Sequence, residues 1–93
     1  MIVEYTPRAA ADVSRIAARS HAEFGPAVAL DLEQAIRTIG LMLGENPFSG
    51  TSIRQRPGVR RIPLTRFPFV VIYRVQAESV RILHIRHTSR RPW

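Results

Sequence analysis

The chain has no cysteine among its 93 residues, so it can form no disulfide framework, no thiolate metal site and no thiol nucleophile. It has no lysine either, and all 14 basic residues are arginine. That choice favours the planar, bidentate guanidinium fork, which suits phosphate and carboxylate, over a mobile point charge. Its three histidines are too dispersed to suggest a zinc cluster, so no metal and no cofactor are expected. No apolar run approaches the roughly 20 residues needed to span a bilayer. The first residues alternate apolar and charged side chains (Ile2, Val3, Glu4, Tyr5), unlike a secretory leader. The expectation is one soluble, cytoplasmic domain over residues 1–93, near the size at which hydrophobic burial alone just suffices for folding.

The scarcity of acid in the second half is the most informative absence. Residues 1–50 carry four Arg and six Asp or Glu, whereas residues 51–93 carry ten Arg and the single acid Glu78. The halves differ formally as −2 and +9, giving the net +7 of the chain. A field of one sign on half of a small protein concentrates and steers polyanions or acidic polypeptides. Ten cations facing one anion cannot all be neutralised locally, so an external anionic partner is expected.

Along the chain, residues 2–5 are strand-like, and Thr6-Pro7 supplies an N-cap followed by a residue preset for a first helical turn. A helix is predicted from Pro7 to near Gly25. Its inner face is read as Ala9, Val13, Ile16 or Ala17, Ser20 and Phe24, with Arg8, Asp12, Arg15 and Arg19 on the other side. Pro26 opens a second helix in which Val28, Leu32, Ala35 or Ile36, Ile39 and Leu43 keep the period until Gly44 and Pro47. So short a connection predicts a helical hairpin. Residues 44–58 gather Gly, Asn, Pro, Ser and Thr and read as a loop. Three β-rich runs follow, at 59–64, 67–75 and 80–87, as an antiparallel meander. In the middle run Phe69, Val71, Tyr73 and Val75 share one face, and Val70, Ile72 and Arg74 the other, which predicts the central strand. The fold class is therefore α+β, in the order β-α-α-β-β-β, with the helical hairpin on one face of a small, mostly antiparallel sheet. The other face is expected to stay partly open, with Val70 and Ile72 uncovered and arginines around them.

The opening strand with "TPRAAADVSRIA", then "NPFSG", "GVRRIPLTRFPFVVIYRV" and "VRILHIRHTSRRPW" together resemble the RelE/ParE superfamily of toxins from bacterial type II toxin–antitoxin modules. The resemblance covers nearly the whole chain. It implies the same β-α-α-β-β-β architecture and a protein that arrests growth unless a cognate antitoxin binds it. RelE-like members cleave messenger RNA, usually on the ribosome; ParE-like members poison DNA gyrase and are not nucleases.

Metal-free RNA cleavage needs a base for the 2′-hydroxyl, cations for the phosphorane charge and an acid for the leaving oxygen. His87 is the candidate acid or base should the chain be an endoribonuclease, and it competes with a structural role capping the last strand. The absence of Lys and of any Tyr after Tyr73 departs from RelE itself. Arg54, Arg56, Arg60, Arg61, Arg81 and Arg86 are candidate phosphate or partner ligands. Arg90, Arg91 and Trp93 form a terminal cluster in which Trp93 packs under the sheet or anchors a partner. His84, alternating with Ile82, reads as a satisfied sheet histidine, and Arg74 and Arg81 as solvated or paired with Glu78. The favoured function is a ParE-like gyrase inhibitor neutralised by an antitoxin, and not an enzyme. The alternatives are a RelE-like endonuclease acting on ribosome-bound message, and a non-toxic, antitoxin-binding member that regulates its own operon. In each reading operator DNA is contacted only through the antitoxin complex.

Overall fold

The computed structural model describes residues 1–89; Arg90, Arg91 and Trp93 lie outside the described residues. Strand β1 (Ile2–Tyr5) leads into helix α1 (Pro7–Phe24), and α2 (Pro26–Glu45) follows after one residue. The sheet is completed by β2 (Thr51–Ser52), β3 (Val59–Pro63), β4 (Phe69–Val75) and β5 (Ser79–His87), in spatial order β1-β5-β4-β3-β2. β1 runs parallel to β5 and every other pair is antiparallel.

The local chemistry at the hairpin matches the sequence expectation. Thr6 Oγ1 accepts from Ala9 N at 3.0 Å, which satisfies one orphan amide of the first turn of α1, and Pro7 occupies its first helical position. Gly25 then turns the chain with φ +93°, a backbone conformation that side-chain-bearing residues rarely adopt. One inner-face assignment on α1 is corrected. The buried residues are Ala9, Asp12, Ile16 and Ser20, so Asp12 points inward, while Phe24 is 66% exposed. Val28 of α2 is likewise exposed, its place being taken by Ala29.

The helices pack on one sheet face. Ala9, Ile16, Leu32, Ile36 and Leu43 meet Val71, Tyr73, Val80, Ile82 and Ile85 in the main core. β4 is the central strand, and its alternate residues Val70 and Ile72 join Ile53 and Val59 in a second, smaller core on the opposite face. This corrects the expected open face, since Val70 and Ile72 are each only 1% exposed. The segment read as a loop over 44–58 supplies the cover. It contains the short strand β2, paired with Arg60 and Arg61, and directly afterwards it drops Ile53 onto the second core.

The "NPFSG" stretch is a strap held from the sheet. Tyr73 Oη donates to Pro47 O and accepts from Gly50 N, both at 2.8 Å. A Cβ on Gly50 would stand 2.5 Å from that hydroxyl and 2.7 Å from Arg61 O, so only glycine permits this approach. Burial raises the Tyr73 phenol above its ordinary value, with the Gly50 amide opposing the shift.

Candidate functional site

The register sorts the arginines. Cross-strand partners share a face, so Arg61 opposite Ile72, Arg74 opposite Val59 and Arg81, and Arg86 opposite Val70 all stand on the outer face, away from the helices. Their common floor is Ile53, Val59, Val70 and Ile72, and the exposed Arg54 and Arg56 follow Ile53 on the adjoining turn. Arg74 and Arg81 are a directly opposed like-charge pair, an arrangement that costs stability. The Arg74 guanidinium reaches Pro57 O at 3.4 Å, and Glu4 of β1 is the register neighbour of Arg81 on its other side. Among the described residues the ion pairs are Arg15–Asp12, Arg19–Glu23 and His84–Asp12. Arg54, Arg56, Arg74, Arg81 and Glu78 take part in none of them. Of the two alternatives read for Arg74 and Arg81, pairing with Glu78 is not seen, and the two cations face outward together.

Arg60 does not belong to this face. It lies opposite Tyr73, on the helix side, and donates to Gly50 O at 2.7 Å and Phe48 O at 3.3 Å. Its guanidinium sits 5.0 Å above the Phe48 ring, a cation–π contact that fastens the strap.

A groove of about 830 Å³ opens between the tip of the helical hairpin and the end of the sheet. Buried Ile16, Leu32 and Ile85 with half-buried Phe67 and Phe69 line it, exposed Phe24 and Val28 flank it, and Arg15, Arg19 and His87 border it. The His87 ring meets Phe69 edge-on with centroids 5.4 Å apart. Ser89 N donates to His87 Nδ1 at 3.1 Å and Ser89 Oγ lies 2.7 Å from the same nitrogen. A nitrogen that accepts an amide proton carries none of its own, so the neutral ring bears its proton on Nε2. In that state His87 offers a hydrogen-bond donor and has no free lone pair for a 2′-hydroxyl proton.

Periodicity missed a second cluster, at the seam of α1 and β5. β1 ends at Tyr5, paired with Ile82, while β5 continues to His87. Thr6 and Asp12 take over the exposed edge: Thr6 N donates to Ile82 O, Thr6 Oγ1 to Leu83 O, and Ile85 N donates to Asp12 Oδ2, each at 3.0 Å. An irregularity in the β4–β5 register, where Ile72 pairs with His84 but Tyr73 with Ile82, makes Leu83 the extra residue of a β-bulge. Strict alternation of His84 with Ile82 is thereby lost, and Ile82 and Ile85 both enter the main core. His84 Nδ1 lies 2.6 Å from Asp12 Oδ2, and Arg8 Nη2 lies 3.3 Å from His84 Nε2. Burial, the largest single influence on Asp12, raises its carboxyl. The Ile85 amide, Arg15 and His84 together outweigh it and hold the group below the ordinary range. The available signal was position: Asp12 is three residues from Ala9 and four from Ile16, inside the apolar stripe.

Residues 3–92 match the profile of the ParE toxin of the type II toxin–antitoxin system parDE. This chain belongs to the ParE toxin family, within the RelE/ParE superfamily. A solved structure described as the chromosomal ParDE toxin–antitoxin system from P. aeruginosa aligns at 32% identity and TM-score 0.84, covering 96% of this chain and 97% of that one. The fold is shared more distantly with the intact E. coli RelBE toxin–antitoxin complex, at 17% identity and TM-score 0.62 over 97% and 98% of the two chains. The isolated E. coli RelE toxin aligns at 17% identity and TM-score 0.61 over 97% and 86%. Among curated proteins no relative matches. The five-stranded mixed sheet with its helical hairpin is thus the RelE/ParE-like fold, and the chain is a ParE toxin of a type II system. Among the described residues no helix is long and apolar enough to cross a membrane.

Proposed function

We propose that this ParE toxin acts by binding DNA gyrase and stalling it on DNA, and that a cognate antitoxin encoded with it holds it inactive. The observation that carries the choice over RNA cleavage is the state of His87. Its Nδ1 is occupied by the Ser89 amide, so the one residue placed for acid–base work on the superfamily's sheet has no free acceptor. The second ordered imidazole, His84, has its Nε2 turned to Arg8 and its Nδ1 to Asp12. The remaining candidates are arginines, which are good cations and poor acids. A surface of outward-facing Arg54, Arg56, Arg74 and Arg81 over an apolar floor suits binding to an anionic enzyme surface or to the DNA it holds.

The antitoxin reading draws on the ParE family and on the ParDE structure, which is a toxin–antitoxin system by description. The groove beside Phe24 and Val28, bordered by Arg15 and Arg19, suits an acidic amphipathic segment that folds as it docks. Operator DNA is then reached through the antitoxin. The test is to incubate the purified chain with gyrase, ATP and supercoiled plasmid, and in parallel with translating ribosomes. Gyrase-linked DNA breaks with intact transcripts are expected; cut transcripts with undisturbed gyrase would replace this reading with the endonuclease one.

A further inference from the structure

In the cluster at the seam of α1 and β5, Asp12 serves the fold, while the Arg8 and His84 groups beyond it do not. Asp12 is 3% exposed in its side chain and both its oxygens are committed: Oδ1 to Arg15 at 2.6 Å, Oδ2 to His84 and the Ile85 amide. Next to an ionised carboxylate the His84 Nδ1 carries a proton, and the Arg8 guanidinium, which can only donate, faces Nε2, so that nitrogen is the acceptor of the ring. The ring is 21% exposed and held in one orientation. The guanidinium that meets Nε2 belongs to Arg8, an exposed residue on the first turn of α1 that has no ion pair among the described residues. One long hydrogen bond to a neutral ring uses one of its five donor protons, and the rest of the fork faces solvent.

We infer that Arg8 and His84 form a binding site for the monoanion of a phosphomonoester, the ligand entering between the guanidinium and Nε2. Such a group can replace the one long Arg8–His84 hydrogen bond with contacts to both side chains. Its charged oxygens accept from the Arg8 fork, and its remaining P–OH donates to His84 Nε2. The proton between phosphate and ring comes with the monoanionic form of the ligand, which predominates below the second phosphate pKa of about 6, so the titration is run below that pH. A phosphodiester has no such proton and cannot complete the pair with the neutral ring. Asp12 is the positioning residue that sets the tautomer, and the Ile85 amide in turn holds Asp12. By register His84 pairs with Ile72 of the outer floor, so the site lies at the β5 edge of that face, on the side of α1.

The experiment is an NMR titration of the full 93-residue chain, following the His84 ring and Arg8 side-chain resonances. The probes are inorganic phosphate, a nucleoside 5′-monophosphate, and a short oligonucleotide with either a 5′-phosphate or a 5′-hydroxyl. Arg8→Gln is compared with Arg37→Gln, which removes the same charge from an exposed position on α2. Saturable shifts at His84 are expected with the three probes that carry a monoester or free phosphate, at least tenfold weaker with the 5′-hydroxyl oligonucleotide. Arg8→Gln should weaken binding at least tenfold while Arg37→Gln leaves it unchanged. A response to inorganic phosphate alone would overturn the inference, since no monoester then binds, and a response to the 5′-phosphorylated oligonucleotide alone would support it and narrow the ligand to chain ends. Equal loss in the two variants, equal binding of the 5′-hydroxyl oligonucleotide, or shifts spread over all the arginines would overturn the inference.

Discussion

The two faces of the sheet contain similar aliphatic residues and serve different ends. On the helix side Tyr73, Val71, Ile82 and Ile85 are sealed by two helices, and the polar groups admitted there are satisfied: Tyr73 by the strap, Asp12 by three donors. On the outer side Ile53, Val59, Val70 and Ile72 form a small core beside buried Arg86, and the surrounding positions hold further arginines, two of them directly opposed. A face optimised for stability would not set Arg74 against Arg81. The contrast is that the helix face carries the larger core, while the outer face presents charge over a small one. It also changes where exposed apolar surface is to be found. Val70 and Ile72 are covered, and the exposed apolar surface lies instead at Phe24, Leu30, Leu41 and Phe48.

Substitutions ranked by expected cost should follow that division. Tyr73→Ala removes a fully buried ring and both strap bonds, and should cost about 4 kcal/mol or more, measured by denaturant unfolding. An unfolding free energy within about 1 kcal/mol of wild type would show that the helix face is not the stabilising one. Asp12→Ala leaves the Ile85 amide and the His84 Nδ1–H without their acceptor, and should cost about 3 kcal/mol at neutral pH. The sign of its pH dependence follows from the depressed carboxyl. The contribution is complete above the unfolded-state value of about 4 and is lost as pH falls through the lower folded value. The gap between wild type and Asp12→Ala should therefore narrow in acid, and a constant gap down to pH 2 would contradict the assigned partners. Tyr73→Phe keeps the ring and strands Gly50 N and Pro47 O, for about 1–2 kcal/mol. Arg74→Gln relieves the cross-strand repulsion, and should leave stability unchanged or raise it by about 0.5 kcal/mol. A clear loss would mean that the arginine serves the fold.

The elements that local chemistry dictates were legible in the sequence. Thr6-Pro7 and Gly25-Pro26 set the helix boundaries, and the apolar alternation of 69–75 marked the central strand. What escaped was decided by tertiary partners. Two residues of β2 carry too little pattern to announce a strand, and they pair only because β3 presents Arg60 and Arg61 to them. Asp12 looked like a solvent residue because it is charged, yet the bulge at Leu83 and the early end of β1 create an edge amide that only an inward carboxylate satisfies. Of the candidate arginines, Arg61, Arg81 and Arg86 share the outer face and Arg54 and Arg56 adjoin it. Arg60 is turned to the strap because a strand sends neighbouring side chains to opposite faces, and sequence could not say which face was which.

If the outer face acts while the helix face folds, the double variant Arg74→Gln/Arg81→Gln should separate the two roles. Growth arrest on induction would be measured beside the thermal unfolding of the purified protein. The account predicts a melting temperature at or above that of wild type together with loss of arrest. Full arrest by the equally stable double variant would contradict it.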